Sequence, residues 1–375
     1  MPSEFLRLKK QMPKLGVGLG LRGHFSSEVF QHRKQIDFLE FTPENYGDNI
    51  VATNWLARFA DYFPMVSHSV SLSIGGLDPL SADLLKMERR FAAMFGLHWW
   101  SDHLCFTGFD GESSHDLLPL PWTEQAVKHV AARIREAQER VGKPLAIENI
   151  PFYTKMPAGN FDEAEFISRV LEEADCGLLL DLNNLQVNSI NHKFDPIAFL
   201  DRLPLERVLQ IHLAGHGQYG KRIVDTHGAA VSDGVMDMLA HVLKKAPDVN
   251  SIMIERDQFF PEFSELLGEL DRVRNILVSA APNYFDGNSD IATGGGAGSD
   301  VGVSLLAIPP QLIAEQALVE ADSADAVSAD SDSSGMGSAD PDSDVSDSAE
   351  DNAVLTWERR QPAGFDVPSS SETFK

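Results

Sequence analysis

Between Gly16 and Leu277, eight short apolar runs alternate with stretches of helical periodicity. The runs lie at 16–22, 36–42, 64–70, 97–106, 144–149, 177–183, 207–213 and 250–255. Each has the length of one buried strand. Between them, 80–96 offers Ser81 as a helix cap and Gly96 as a stop, and 123–142 places Ala126, Val127, Val130, Ile134 and Ala137 at helical spacing before Gly142. Further helices are expected at 55–63, 161–175, 195–203, 232–246 and 261–277. Strand–helix units repeated eight times over this length predict an α/β fold, a (β/α)8 TIM barrel. The first units carry the weakest signal, because 24–34 is only weakly helical. A doubly wound open sheet competes, but its nucleotide loop is missing. The glycines of GVGLGLRG (16–23) lack the G-x-G-x-x-G spacing, and no good helix follows them.

The barrel rhythm gives a second pattern its meaning. Residues of metal-binding type stand at or near the ends of the apolar runs or in the loops after them: His68, His103, Glu148, Asp181, Asn184, His212, Asp225, His227 and Glu255. A carboxylate or imidazole at the end of a buried strand is unfavourable unless it is paired or bound to a cation. In a barrel, the C-terminal strand ends form one mouth, so six strands send one such residue each to a shared site. His, Asp, Glu and Asn without Cys favour a hard or borderline divalent metal, and more than one ion.

Single residues keep blander readings beside that one. Asp181 and Asn184 in DLNN also suit an Asx-turn or helix cap. Asp225 and His227, two apart, face the same way in extended chain, but Asp-x-His is common by chance. His68 and His103 read alternatively as satisfied core histidines, and Glu148 as an exposed strand end. His216 is assigned to support rather than ligation. Glu40, Glu44 and Asn45 either line the mouth or follow from a turn at Pro43. His24, His32, His98, His115, His129, His192 and His241 are read as structural.

Composition sets the surroundings. The chain has 375 residues and a net charge of −25, and the segment 281–375 holds 18 acidic and only 3 basic residues. Its stretch 321–351 is almost entirely Asp, Ser, Ala and Gly, too poor in apolar surface to offset ordering entropy. The expected division is a barrel domain over 1–280 and a disordered acidic tail over 281–375, within which 304–320 is apolar enough for a short helix. Cys105 and Cys176 sit in apolar runs and read as buried thiols in a reducing compartment. With no secretory signal pattern and no long apolar stretch, a cytoplasmic protein without membrane contact is expected. The acidic balance argues against nucleic acid as a partner.

The motifs HSVSLSIGG, SDHLCF, IENI, DLNNL, HLAGH, DTHG and IERD occur in order. With them the chain resembles the multinuclear non-haem iron-dependent oxidases, a family whose best-known member acts in methanobactin biosynthesis. The resemblance covers about 13–278 and leaves the tail aside. It implies a barrel akin to endonuclease IV and xylose isomerase. On that pattern His68, His103 and Glu148 would hold one metal, and Glu148 would bridge to a second completed by Asp181, His212 and Glu255. Asp225 and His227 would hold a third, with Asn184 in place of a histidine and therefore a weaker site. Glu148, Asp181 and His212 would sit at the heart of the chemistry. The cofactor implied is iron, two or three ions of mixed valence. The activity implied is dioxygen-dependent remodelling of a residue, usually cysteine, in a ribosomally made precursor peptide, with a partner protein presenting the peptide leader.

Two other readings compete. One is a zinc- or manganese-dependent hydrolase or isomerase acting on a phosphorylated or sugar substrate. The other is a non-catalytic metal-binding scaffold, which the nine-residue constellation disfavours.

Overall fold

Each of the eight apolar runs contributes one strand to a closed parallel barrel in which sequence neighbours are spatial neighbours. The strands are β1 (Gly16–Gly20), β2 (Leu39–Phe41), β3 (Met65–His68), β4 (Trp100–His103), β5 (Leu145–Glu148), β6 (Gly177–Asp181), β7 (Val208–Leu213) and β8 (Ser251–Ile254). The last closes on the first, with Val17 opposite Ile252 and Gly18 opposite Met253. The computed structural model describes residues 3–285 apart from 48 and 155–158. The expectations for the acidic tail, including its disorder and the helix at 304–320, lie outside the described residues.

Register is what builds the site. His103 pairs with Glu148 across β4 and β5, Asp181 with His212 across β6 and β7, and His68 with Ser101 across β3 and β4. Pairing of ladder neighbours holds these residues at one height at the C-terminal rim. Below them the barrel is filled by Phe38, Val66, Trp99, Ala146, Leu179, Leu209 and Met253. Phe5, from a short helix at Glu4–Lys9, packs into the same layer.

The helices follow the sequence signals closely. Ser81 accepts from the Leu84 amide to start Ala82–Phe95, and Thr123 does the same for Glu124–Val141. Gly96 and Gly142 end them at φ +65° and +79°, the left-handed geometry that glycine adopts without strain. The helix expected at 55–63 spans Ile50–Ala60 instead, because the Asn49 side chain accepts from the Val51 and Ala52 amides and starts it earlier. The last helix, Phe263–Ala280, is followed by a buried Tyr284 whose hydroxyl donates to the Asn250 carbonyl at 2.9 Å.

The short helix Glu4–Lys9 is one of several elements that were not expected. A helix runs over Leu182–His192, where the sequence reads as a loop. Two antiparallel hairpins stand outside the barrel, Phe106–Phe109 with Glu112–Leu118 and Gly217–Tyr219 with Arg222–Val224. Among the described residues, no helix is long and apolar enough to cross a membrane.

Candidate metal centre

All nine residues singled out at the strand ends stand at the barrel mouth, and seven of them fall into three overlapping groups. His68, His103 and Glu148 form one, Glu148, Asp181 and His212 the next, and Asp181, His227 and Glu255 the third, with potential ligand atoms in each group within 4.8 Å of one another. Glu148 and Asp181 each belong to two groups. The Glu148 Oε2 lies 3.3 Å from His68 Nε2, 3.4 Å from His103 Nε2 and 3.9 Å from His212 Nδ1. Glu255 Oε2 lies 3.3 Å from His212 Nδ1 and 3.5 Å from His227 Nδ1.

The third group differs in membership from the sequence expectation. His227 joins Asp181 and Glu255 there, while Asp225 lies beside it, with Oδ1 2.9 Å from His227 Nε2. Asn184 turns its amide NH2 to Glu148 Oε1 at 3.3 Å and to the Asn149 carbonyl at 3.1 Å. Asp181 serves both readings weighed for it. Its Oδ1 caps the helix Leu182–His192 by accepting from the Asn184 amide at 2.6 Å, which leaves Oδ2 without a partner.

A ring of supporting contacts fixes the imidazoles, and the sequence pattern pointed to few of its members. Glu40, the middle residue of β2, is buried, and its Oε2 stands 3.1 Å from His212 Nε2. A carboxylate oxygen accepts from a ring nitrogen that carries the proton, an arrangement that suits Nε2 protonated and Nδ1 turned to the centre, although the Gln210 amide nitrogen also lies 3.0 Å from Nε2. Gln210 also donates to Glu40, and Trp99 donates to Gln210 at 3.1 Å. Asp257 takes the same part for His227, with Oδ2 2.9 Å from Nδ1. Ser101 meets His68 Nδ1 at 2.9 Å. Arg22 donates to Asp257 through Nε at 2.8 Å and to Glu255 at 3.1 Å. Asn149 clamps the Asp181 backbone, its NH2 donating to the carbonyl and its oxygen accepting from the amide. His216 acts at one remove, through Asn183 to Asp225.

The electrostatics are those of several ionisable groups buried together. Burial lifts the Glu148 carboxyl well above the usual range, with Asp181 and Glu255 adding to the rise against the pull of His212. Burial, then Asp225, pushes Asp181 up to about 7. Burial drives His103 down to about 4 and His68 well below its ordinary value, the latter helped by the neighbouring His103 and His212. His212 and His227 go the other way. Burial is the largest single influence on each and lowers them, but Glu40 and Glu255 on His212, and Asp225 and Glu255 on His227, outweigh it.

Whether a metal fits can be tested on atoms left without partners. Glu148 Oε2, Asp181 Oδ2, Asn184 Oδ1 and His212 Nδ1 are buried and make no hydrogen bond, while His227 Nε2 has the Asp225 carboxylate 2.9 Å away. Unsatisfied buried polar atoms are rare in proteins, and several in one place call for an absent ligand. Imidazole, carboxylate and amide oxygen donors without thiolate suit iron, manganese or zinc. A cavity of about 490 Å³ opens onto the group and is lined in part by His68, His103, Asp225, His227, Glu255 and Arg22.

Comparison with known proteins bears on this arrangement. Residues 16–278 match the family described as RiPP precursor modification enzyme MbnB/TglH/ChrH. The chain belongs to this family. A UPF0276 protein of Acinetobacter baylyi is 40% identical over 276 residues, which is 73% of this chain and 95% of that protein. Another from Anaeromyxobacter sp. is 39% identical over 269 residues, 71% of this chain and 94% of its own length. Among solved structures, a xylose isomerase domain protein from Planctomyces limnophilus is similar at 14% identity and a TM-score of 0.49, covering 72% of this chain and 99% of that one. Endonuclease IV from Thermus thermophilus is similar at 18% identity and a TM-score of 0.44, covering 70% and 99%. The match to the MbnB/TglH/ChrH family takes in all nine mouth residues.

Proposed function

We propose that this protein is a multinuclear iron-dependent oxidase that modifies a residue, most directly a cysteine, of a ribosomally synthesised precursor peptide. The observation that carries the reading is the overlap of three ligand groups through Glu148 and Asp181 in a member of a precursor-modifying family. Sharing of carboxylates between groups suits ions close enough to act on one substrate together. His68, His103 and Glu148 would hold one ion, and Glu148, Asp181, His212 and Glu255 a second. His227, with Asp181, Glu255 and the adjacent Asp225, would hold a third. When bound, iron supplies dioxygen activation and acidification of a thiol held against it.

The chain's own residues do the rest. Glu40, Asp257 and Ser101 fix which nitrogen of His212, His227 and His68 faces the centre. Asn149 fixes the Asp181 backbone. Arg22 offsets the negative charge of Glu255 and Asp257. The cavity, about 490 Å³, has room for one side chain and part of its neighbours, which suits a peptide residue reaching in from the mouth. A partner protein that presents the peptide leader belongs to the same proposal.

The test is oxygen uptake by protein reconstituted with ferrous iron under anaerobic conditions and then partly oxidised. Uptake is expected only with a cysteine-bearing precursor peptide and its presenting partner, with the modified peptide detected by mass spectrometry. Full turnover of a phosphoester or a sugar with redox-inert zinc or magnesium would overturn the proposal in favour of a hydrolase or isomerase.

A further inference from the structure

At the C-terminal end of the helix Leu182–His192 lies a second cavity, of about 410 Å³, which shares no lining residue with the first. Its walls are rings: Trp122, Phe152, His192, Phe194 and Phe199. The rings hold one another in place. Phe152 stands edge-on to Trp122 at 5.7 Å and stacks on His192 at 4.4 Å, and Phe194 meets Phe199 at 5.5 Å. His192 Nε2 donates to the Phe152 carbonyl at 2.9 Å, which sets the plane of its ring.

Three carboxylates, Asp162, Glu163 and Asp195, complete the lining against one cation, Arg202. Arg202 is already paired, its two terminal nitrogens lying 2.7 and 2.8 Å from the two Asp162 oxygens. Asp195 is exposed, and one of its oxygens caps the helix Pro196–Leu200. Glu163 is half-buried at the first position of the helix Glu163–Ala174. Burial, then Asp162, pushes its carboxyl up to about 8, and no cation pulls it back. With the Arg202 pair set aside, two acidic groups remain among the rings. Ring faces beside carboxylates attract a cation, and a planar guanidinium both stacks on a ring and forks to a carboxylate.

This cavity is on the same face of the barrel as the centre. Trp122 precedes the helix that follows β4, Phe152 follows β5, and His192 ends the helix that Asp181 caps at the end of β6. That helix has 11 residues. At roughly 1.5 Å per residue it sets Asp181 and His192 about 16 Å apart, the reach of about five extended residues. We propose that the aromatic cavity binds an arginine side chain of the same peptide whose residue enters the metal centre. The inference rests on the reading of the chain as a peptide modifier for its occupant but not for the oxidation. Binding is read without turnover, so failure to oxidise any peptide leaves it standing.

The probe is the peptide acetyl-Gly-Ser-Gly-Arg-Gly-Ser-Gly-amide, titrated into full-length protein that carries 5-fluorotryptophan and followed by fluorine NMR. The Trp122 signal, identified by its loss in Trp122→Phe, is expected to shift and saturate. That signal is local to the cavity, so attraction of the peptide to the acidic segment 281–375 does not imitate it. Citrulline in place of arginine keeps the shape without the charge and should bind about 10–100-fold more weakly, the usual worth of a hydrogen bond to a charged group. Glu163→Gln should weaken the arginine peptide to a similar degree and leave the citrulline peptide unchanged. A Trp122 signal that does not move would overturn the proposal. So would a citrulline peptide, or a Glu163→Gln protein, that binds as tightly as arginine and wild type do. Methylguanidinium binding as tightly as the peptide would assign the cavity to a small cation and overturn the peptide occupant. The comparison of arginine with citrulline on the wild-type protein decides the matter if Glu163→Gln does not fold.

Discussion

Replacement of Glu148 by Gln should act in opposite senses on the metal-free fold and on metal binding. In the metal-free protein the carboxyl is buried, its Oε2 has no hydrogen-bond partner, and burial lifts it well above the usual range. An amide of the same shape removes a poorly solvated acid, so the change should be neutral or stabilising by up to about 2 kcal/mol. The effect on metal is large. One unit of charge at about 4 Å from a cation is worth about 4 kcal/mol per unit of cation charge at an effective dielectric constant of about 20, roughly three orders of magnitude in affinity. Because Glu148 belongs to two groups, both positions should lose their ions. His227→Ala touches only the third group and should remove at most one. Metal-to-protein ratios by elemental analysis, beside denaturant melts of the stripped proteins, read both effects. Equal metal loss in the two variants, or a stripped Glu148→Gln protein less stable than wild type by more than about 2 kcal/mol, would refute the assignment of a shared, uncompensated carboxylate.

Two further predictions concern the scaffold. Burial, the largest influence, holds Lys9 down at about 8 from 10.5, although Nζ donates to the Asp248 carbonyl at 3.1 Å. Between pH 8 and 10.5 the unfolded chain then binds a proton that the folded chain does not, so stability should rise with pH across that window, by about 3 kcal/mol in total. Lys9→Met should flatten this rise in pH-dependent melts and add about 1–2 kcal/mol at pH 7, once the lost hydrogen bond is allowed for. Truncation after Phe285 should leave the melting temperature and metal content of the full chain. Truncation after Ala280 should cost about 3 kcal/mol, because it removes the buried Tyr284 and its bond to Asn250, and calorimetry of the two forms distinguishes them.

The barrel was legible because each strand is buried and apolar along its length, and because Ser81, Thr123, Gly96 and Gly142 mark helix ends with ordinary cap chemistry. The helix Leu182–His192 was hidden by its composition. LNNLQVNSINH is rich in asparagine, a poor helix former, and tertiary bonds hold it in place. Asn188 bonds to Ile150 and Phe152, and Asn191 bonds to Ile223. The first hairpin did leave a signal. Asp110-Gly111 separates Phe106–Phe109 from Glu112–Leu118, and both turn residues have positive φ, as a two-residue hairpin turn requires. The ligand-type residues were visible because they interrupt apolar runs. Their supports were not. Glu40 sits beside a turn that explained it equally well, and Arg22 and Asp257 come together only when the barrel closes β8 onto β1.

The central claim is that the barrel mouth is a centre of several iron ions, and Mössbauer spectroscopy of protein loaded with enriched iron under anaerobic conditions tests it most directly. The account predicts at least two distinct iron environments, with two or three ions per chain by parallel quantification. A single environment at one ion per chain or fewer would contradict it.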